Sequence, residues 1–393
     1  MLKFIHAGDV HLGNPFTGLD QDLPQQYQGE VARATFTAFE NLIDYALEQE
    51  VDFVLFPGDF LHSKGAGLAI QLEAQYQLER LNQAGIPVYL SFGNHDFRVD
   101  QNLQIDWPAN VHLFAEAVQT YTLTTRAGQR IALTGFSYQD FQQKHSLVND
   151  FPYRDASFDY QIGLYHGKIG AEGDAYAPFH LDDLLNKNYD YWALGHIHQR
   201  QILHQKPYIA YSGNLQGLNR KEIGPKGAYL VQEEDDVLVS HFKSLAPVLW
   251  EEYAWQDVNS TLDLNQKLSQ LQPQKLTLVS IDLSGIDDVN FLNGIQNGLV
   301  LEQIRAHALP MLWPVHLTGQ GKQQQATNLK INADEKALWQ QSLTEVLTSE
   351  KIEAFLSDEV PIEVKNYLHS QEGKADLAAA MWQLLGEDDG HEN

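Results

Sequence analysis

Residues 53–62 read FVLFPGDFLH, an apolar run that stops at a proline and a glycine and is followed by an aspartate and a histidine. A continuous apolar run of this length predicts a strand that is buried on both faces. The polar residues then fall at the carboxyl end of the strand, which is where open α/β sheets place their ligand sites. This stretch therefore predicts both a layered fold and the place of the chemistry.

The same pattern recurs elsewhere in the chain. Apolar runs that end in polar turns occupy residues 4–7, 88–91, 162–165 and 191–194. Between the first two strands, residues 39–47 carry their apolar side chains on one helical face, and a second helix is predicted over residues 69–84. Strands that alternate with helices in this way predict a layered α/β fold.

The second half of the chain has a different character. Residues 208–242 predict strands and turns, and after Pro247 the strand-then-polar-turn pattern disappears. The later segment predicts strands at 276–283 and 311–317 and helices at 262–271, 337–347 and 377–385. We expect a core domain over residues 1–245, a smaller C-terminal α/β capping or partner-binding domain over 246–385, and a disordered acidic tail over 386–393.

Composition limits the functions that are open to this chain. Lys and Arg total 26 against 52 Asp and Glu, a formal net charge of −26 that disfavours nucleic-acid binding by charge alone. There is no cysteine, so any metal must be held by nitrogen and oxygen ligands. Neither a signal peptide nor an apolar membrane span is visible, and we expect a cytoplasmic protein with no membrane contact.

Five short elements follow the predicted strands and carry the candidate chemistry. They are Asp9-Val10-His11, Gly58-Asp59-Phe60-Leu61-His62, Gly93-Asn94-His95-Asp96, His166-Gly167 and Gly195-His196-Ile197-His198. Carboxylates, imidazoles and an amide oxygen suit Mn, Fe, Zn or Mg ions, with Mn or Fe favoured by the mixed nitrogen and oxygen set. One carboxylate could bridge two ions, and the pair of ions would hold the attacking and leaving oxygens of a phosphate. A water between the two ions would serve as nucleophile. Each element alone is more often a plain turn, but all five in order predict a two-metal site.

The ordered set resembles the calcineurin-like metallophosphoesterase superfamily over roughly residues 1–245. The resemblance implies a core of mixed β-sheets flanked by helices. It also implies one ion on Asp9, His11, Asp59 and His198, and a second on Asp59, Asn94, His166 and His196. His95 matches the non-ligand histidine that acts as general acid on the leaving group. Asp96 would orient the His95 imidazole.

Finer features resemble the SbcD-type DNA repair exonucleases, particularly their YhaO-like members. The Gly-Asp-x-x-His element places His62 near the substrate phosphate, and the residues from Tyr211 to Asn214, with Glu222 and Lys226, are also similar. The resemblance implies a DNA substrate, an SbcC-like SMC-type ATPase partner that supplies much of the DNA contact, and a homodimer.

The leading hypothesis is a two-metal phosphodiesterase that acts as a DNA exonuclease or endonuclease. A phosphodiesterase or phosphomonoesterase of small molecules, which the acidic charge favours slightly, is the first alternative. A non-catalytic scaffold of an ATPase complex is the second, and the intact ligand set disfavours it. Tryptophans such as Trp250 and Trp313 could stack bases, although aromatic residues at this spacing are more typical of a core or a partner interface.

Overall fold

The structure is a computed structural model, and it describes residues 1–16, 19, 23–63, 67–97, 105–322, 348, 351–352, 362–370, 373–374 and 377. The chain forms two compact units, one of Met1–Ser284 with Asp288–Gly319 and the other of Gly285–Asp287 with Gln320–Asn393. The first unit thus continues past residue 245, and the division into a core and a capping domain stays a prediction. The predicted helix at 337–347, the one at 377–385 apart from Leu377, and the tail at 386–393 lie outside the described residues.

Strands dominate the first unit. In chain order they are β1 (Lys3–His6), β2 (Phe53–Pro57), β3 (Val88–Ser91), β4 (Val111–Leu113), β5 (Gln119–Thr124), β6 (Arg130–Gly135), β7 (Tyr160–His166), β8 (Tyr191–Gly195), β9 (Gln201–Gln205), β10 (Tyr208–Tyr211), β11 (Gly227–Glu234), β12 (Val237–Ser244), β13 (Val248–Gln256), β14 (Leu276–Ile286) and β15 (Leu312–Gly321). The five strands that were predicted to precede polar turns are all present, as β1, β2, β3, β7 and β8.

The strands form three sheets. The first has the order β12-β11-β1-β2-β3-β4, the second β5-β6-β7-β8-β10-β9, and the third β13-β14-β15. In the first sheet β1, β2 and β3 run parallel, whereas β11 and β12 are antiparallel to their neighbours. The second sheet likewise combines parallel β7 and β8 with antiparallel edge pairs. The expectation of mixed sheets is therefore confirmed.

The described residues also form helices. They are α1 (Gln25–Ala32), α2 (Ala34–Glu48), α3 (Leu68–Gln83), α4 (Leu181–Asn186), α5 (Thr261–Ser269), α6 (Val289–Gln296), α7 (Leu299–Arg305) and α8 (Ile362–His369). In α2, Phe39, Leu42, Ile43 and Ala46 are all fully buried, as their helical spacing predicts. The predicted helices at 69–84 and 262–271 correspond to α3 and α5.

Apolar side chains fill the spaces between these layers. Phe4, Phe53 and Leu55 of the first sheet pack against Ile162 and Leu164 of the second, which makes the two sheets a sandwich. The opposite face of the first sheet packs against α2 and α3. On the far side of the second sheet, Leu184 of α4 packs with Tyr165 and Trp192. The layers therefore follow the order helix, sheet, sheet, helix, and the carboxyl ends of parallel strands from both sheets lie at one edge.

The third sheet also has a core of its own within the first unit. Val248 and Trp250 of β13 and Leu276 and Leu278 of β14 pack with residues near α1, such as Val31. Trp250 is buried, so it belongs to the core, as its spacing favours. This sheet thus packs directly against the part of the chain that carries the candidate site.

Candidate metal centre

The residues that follow β1, β2, β3, β7 and β8 meet at the edge where those parallel strands end. Strands β1 to β3 deliver Asp9, His11, Asp59 and Asn94, while β7 and β8 deliver His166, His196 and His198 from the other sheet. Contacts between the two groups are direct, since His166 Nε2 lies 3.4 Å from Asp59 Oδ2. Residues that are far apart in sequence are thus brought into one cluster, as the strand pattern predicts.

One part of the cluster contains Asp9, His11 and His198, whose ligand atoms lie within 4.8 Å of one another. His11 Nε2 is 2.9 Å from His198 Nε2 and 3.7 Å from Asp59 Oδ2. His11 is buried, and its Nδ1 has no hydrogen-bond partner among the residues that the structure describes. These contacts bring the nitrogens of two imidazoles and two carboxylates around one point, a donor set that suits a divalent transition metal.

The other part of the cluster is centred on Asn94. Its Oδ1 lies 3.0 Å from His166 Nε2 and 3.1 Å from His196 Nδ1. Asp9, Asp59 and His166 also have ligand atoms within 4.8 Å of one another. Asp59 is therefore close to both parts of the cluster, which is the position that a bridging carboxylate requires.

The geometry around His166 shows that the cluster fits a cation. Its Nδ1 donates a hydrogen bond to the Pro57 carbonyl oxygen at 3.0 Å, so in the neutral ring Nε2 carries a lone pair. That lone pair faces the oxygens of Asn94 and Asp59, an arrangement of acceptors that needs a positive charge among them. Burial alone would lower the pKa of His166, but Asp59 outweighs burial and raises it to about 9. A divalent ion would supply the same positive charge.

The carboxylates respond to the same electrostatics. Burial acts to raise the pKa of Asp59, but the neighbouring His166 and His11 outweigh burial and hold that pKa well below its usual range. For Asp9 burial prevails and the pKa is raised, although His198 and His166 partly oppose it. A cation next to Asp9 would favour its ionised form, as metal ligation requires.

The backbone of the cluster adopts conformations that are unusual for residues with side chains. Asp9, His11, Asp59 and His196 have positive φ angles of 49°, 45°, 49° and 99°. Such conformations are unfavourable for residues other than glycine and persist where the surrounding structure enforces them, often at functional sites. Here they turn successive side chains back towards one point.

His62 and His95 stand beside the cluster, and their tautomers follow from their partners. The Asn14 amide is oriented by the Phe16 N–H, which donates to Asn14 Oδ1 at 2.9 Å. Asn14 Nδ2 therefore donates to His62 Nδ1 at 3.1 Å, and this leaves the neutral His62 ring with its proton on Nε2. His95 Nδ1 donates to the His62 carbonyl oxygen at 3.1 Å. The two rings stack with centroids 5.7 Å apart.

Asp96 is placed differently from what the sequence predicts. It is fully buried, and its carboxylate accepts hydrogen bonds from backbone N–H groups: Phe60 at 2.7 Å, Leu61 at 3.0 Å and Gly93 at 2.7 Å. The partner of the His95 imidazole is instead the carbonyl of His62. Burial raises the pKa of Asp96 to about 7, although these N–H groups favour its ionised form. Asp96 thus ties together the two loops that carry Asp59 and Asn94.

Two neighbours of the cluster were not given a role by sequence reasoning. Asn14 lies three residues after His11, a spacing that carries no signal of its own. Glu222 accepts a hydrogen bond from His198 Nδ1 at 2.9 Å, and His198 contributes to lowering the pKa of Glu222 against the effect of burial. Only the resemblance of the segment around Glu222 to SbcD-type enzymes could have pointed to it.

A pocket of about 300 Å³ opens onto the first part of the cluster. Its lining includes four histidines, together with Asn219 and Glu222; the histidines are His11, His62, His95 and His198. The pocket therefore has room for a phosphate group beside these four imidazoles.

These features form a cluster of His and Asp side chains that could hold metal ions, and comparison with known proteins identifies the family. The family described as calcineurin-like phosphoesterase matches residues 2–200, just over half of the 393 residues. The chain belongs to this family. The family is one of phosphoesterases, and its members use a dinuclear metal site.

Several relatives are similar over longer stretches. The uncharacterized metallophosphoesterase YhaO of Bacillus subtilis is 40% identical over 257 residues, which cover 64% of this chain and 62% of that protein. The DNA double-strand break repair protein Mre11 of Thermoplasma acidophilum is 26% identical over 307 residues, 72% of this chain and 76% of that protein. The protein of the same name from Haloferax volcanii is 26% identical over 250 residues, 61% of this chain and 51% of that protein.

Within the part of the chain that the structure describes, no helix has both the length and the apolar character that a membrane crossing requires.

Proposed function

We propose that this chain is a two-metal phosphodiesterase that cleaves DNA as an exonuclease or endonuclease. The observation that carries this proposal is the extent of the likeness to Mre11 of Thermoplasma acidophilum. It covers 72% of this chain, whereas the family match is confined to residues 2–200. The similarity therefore includes more than the residues that any phosphoesterase needs for its chemistry.

The proposed metal ligands follow the two parts of the cluster. One ion is held by Asp9, His11, Asp59 and His198, and the second by Asp59, Asn94, His166 and His196. We propose Mn as the metal, because the mixed nitrogen and oxygen donors favour Mn or Fe, with Zn and Mg as alternatives. When bound, the ions stabilise the negative charge that develops on the phosphate and activate water. Asp59 keeps the two positions in a fixed relation through its contacts with both sides.

His95 is the proposed general acid. Because its Nδ1 proton is committed to the His62 carbonyl, the proton that it can deliver is on Nε2. In the imidazolium form, Nε2–H would protonate the leaving oxygen, a role typically worth about 10²- to 10⁴-fold in rate. Neutral His62 donates from Nε2 and is suited to bind a phosphate oxygen. The predicted catalytic role of Asp96 becomes one of positioning the loops.

The charge of −26 indicates that DNA is not held by the overall field of this chain. We propose that an SbcC-like SMC-type ATPase supplies much of the DNA contact. Arg220 and Lys221 are exposed and lie in sequence between Asn219 and Glu222 of the pocket lining, and we propose that they contribute a local positive charge for DNA. The homodimer and the cytoplasmic location stay predictions.

A direct test is cleavage of end-labelled linear duplex DNA in the presence of Mn²⁺. We expect the wild type to shorten the DNA, and His95→Asn to abolish turnover while retaining its bound Mn, because His95 is not a ligand. His241→Asn is a matched control, since His241 lies on the β11–β12 hairpin and pairs with Glu234. Loss of Mn from His95→Asn would contradict the assigned role.

The acidic charge specifically favours a second candidate, a phosphodiesterase of small molecules. It predicts turnover of bis(4-nitrophenyl) phosphate without cleavage of DNA, even when the ATPase partner is added. Cleavage of DNA by the wild type would exclude it.

A further inference from the structure

The Glu222 carboxylate is a half-buried group whose two oxygens are both fully engaged. Its Oε1 accepts from His198 Nδ1 at 2.9 Å and from Asn219 Nδ2 at 2.8 Å. Its Oε2 accepts from the Leu218 N–H at 2.8 Å and from Asn214 Nδ2 at 2.5 Å. Four donors therefore hold this one side chain, and one of them is a proposed metal ligand.

This arrangement decides which nitrogen of His198 carries the proton. A carboxylate can only accept from a neutral imidazole, so the proton lies on Nδ1 and the lone pair on Nε2. The lone pair then points towards His11 Nε2, 2.9 Å away, and into the first part of the cluster. A histidine that binds a metal needs this tautomer, and carboxylates commonly impose it from the far side of the ring.

We propose that Glu222 is a positioning residue that fixes the tautomer and orientation of His198 and thereby sets the affinity of one of the two metal positions. The proposal deepens the proposed function and rests on the ligand role of His198. It does not depend on whether the substrate is DNA or a small phosphodiester.

The backbone of His198 is held from the same loop. Its carbonyl oxygen accepts from Lys226 Nζ at 2.9 Å and from the Asn214 N–H at 3.2 Å. Gly213 makes this approach possible, because a Cβ there would lie 2.9 Å from the His198 oxygen and the backbone has a φ of +74°. The segment of residues 213–226 thus forms hydrogen bonds with both the ring and the main chain of His198.

The loop is itself fixed on β13. Gln216 Nε2 donates to the Val248 carbonyl at 2.9 Å, and Trp250 Nε1 donates to the Gly217 carbonyl at 2.9 Å. The Gly224 N–H donates to the Trp250 carbonyl at 2.8 Å. Glu222 therefore belongs to a loop that is secured on both sides of it, which is what a preorganised site requires of its supporting residues.

Glutamine at this position separates a positioning role from a merely structural one. Its side chain has one acceptor and one donor end, so it cannot accept from His198 and from the Leu218 and Asn214 donors at once. If the amide satisfies the loop, its NH₂ group faces His198 Nδ1 and drives the imidazole proton to Nε2, the atom that faces the metal. If it satisfies His198, the loop donors are left without an acceptor.

The first experiment is a titration of the metal-free protein with Mn²⁺, in which binding is measured by calorimetry and free Mn²⁺ by electron paramagnetic resonance. We expect two ions for the wild type, and in Glu222→Gln one of them weakened by about 10- to 100-fold while the other binds normally. Turnover of bis(4-nitrophenyl) phosphate at fixed Mn²⁺ should fall with occupancy of the weakened position and recover partly at high Mn²⁺.

Glu234→Gln is the matched control, because Glu234 also accepts from a histidine, His241, but on the exposed β11–β12 hairpin. This variant should bind Mn²⁺ and turn over bis(4-nitrophenyl) phosphate as the wild type does. A folded Glu222→Gln that binds both ions with wild-type affinity would overturn the proposal. Equal weakening of both ions together with a lowered unfolding temperature would also overturn it, since that indicates general damage to the loop.

A measurement on the wild type tests the proposal even if the Glu222→Gln variant does not fold. Nitrogen-15 NMR of the metal-free protein at neutral pH should show the His198 proton on Nδ1. A proton on Nε2 alone would refute the proposal. A wild type that binds no Mn²⁺ and turns over neither substrate would instead refute the proposed function, so the two failures can be distinguished.

Discussion

Gly93→Ala should disable the metal centre through a single methyl group. The φ angle of Gly93 lies outside the left-handed region, so alanine brings no backbone strain there. Its Cβ, however, would lie 2.3 Å from Asp59 Oδ1 and 2.6 Å from His166 Nε2, whereas ordinary contact begins at 3.4 Å. Gly93 cannot retreat easily, because its N–H is bound to Asp96 at 2.7 Å. The carboxylate must therefore move by roughly 1 Å to restore ordinary contact distances.

A displacement of that size at the group that contacts both metal positions should be costly. Misplacement by about 1 Å typically lowers turnover by about 100-fold, and the shift also removes Asp59 from its 2.9 Å contact with the His95 N–H. We expect kcat/KM for bis(4-nitrophenyl) phosphate to fall at least about 100-fold, with reduced Mn content by atomic absorption. The unfolding temperature of the metal-free protein should change little in comparison.

Gly29→Ala is the control for this prediction. Gly29 lies in α1, a Cβ there would meet no described atom within 4 Å, and alanine should stabilise the helix by up to about 1 kcal/mol. Activity should be unchanged. If Gly93→Ala keeps wild-type kcat/KM and Mn content, the close packing of Asp59 and His166 against this glycine is not what positions the bridging carboxylate.

Two further predictions concern charge. The double variant Arg220→Ala and Lys221→Ala should weaken DNA binding and leave turnover of bis(4-nitrophenyl) phosphate unchanged. The slope of log affinity against log salt concentration, measured by fluorescence anisotropy, should fall by up to about one unit per residue. An unaltered slope would show that these residues do not contact DNA. Mn²⁺ binding at pH 7.5 should release about one proton from His166, because its pKa of about 9 leaves the metal-free ring protonated at that pH and ligation needs the neutral ring. Affinity should accordingly rise with pH up to about 9, and calorimetry in buffers of different ionisation enthalpy would contradict this if no proton were released.

The sequence was informative wherever the chemistry lies at the end of a buried strand. Apolar runs before Asp9, Asp59 and His196 placed the cluster correctly, because parallel strands bring their ends to one edge regardless of distance along the chain. Strands β5 and β13 were not predicted. In β5 only Tyr121 and Leu123 are apolar, and in β13 the apolar residues 248–250 and 253–255 are separated by Glu251 and Glu252, so neither strand has the continuous apolar run that predicted the others.

Side-chain contacts were harder to predict than the cluster itself. Asp96 follows His95 directly, and adjacency suggested that the two side chains interact. In a tight turn, however, neighbouring side chains diverge, and Asp96 points inward to backbone N–H groups. The contact between Glu222 and His198 spans 24 residues and depends on how a loop folds back, for which no periodic pattern exists.

The attachment of the 213–226 loop to β13 has a genetic consequence. Trp250 is not one of the proposed ligands, yet its indole and its carbonyl both bind the loop that presents Glu222 to His198. Loss-of-function alleles that map to this outer strand would therefore be expected to behave as defects of metal retention. Supplementation of the growth medium with manganese would rescue such alleles, while alleles at the ligands themselves would not respond.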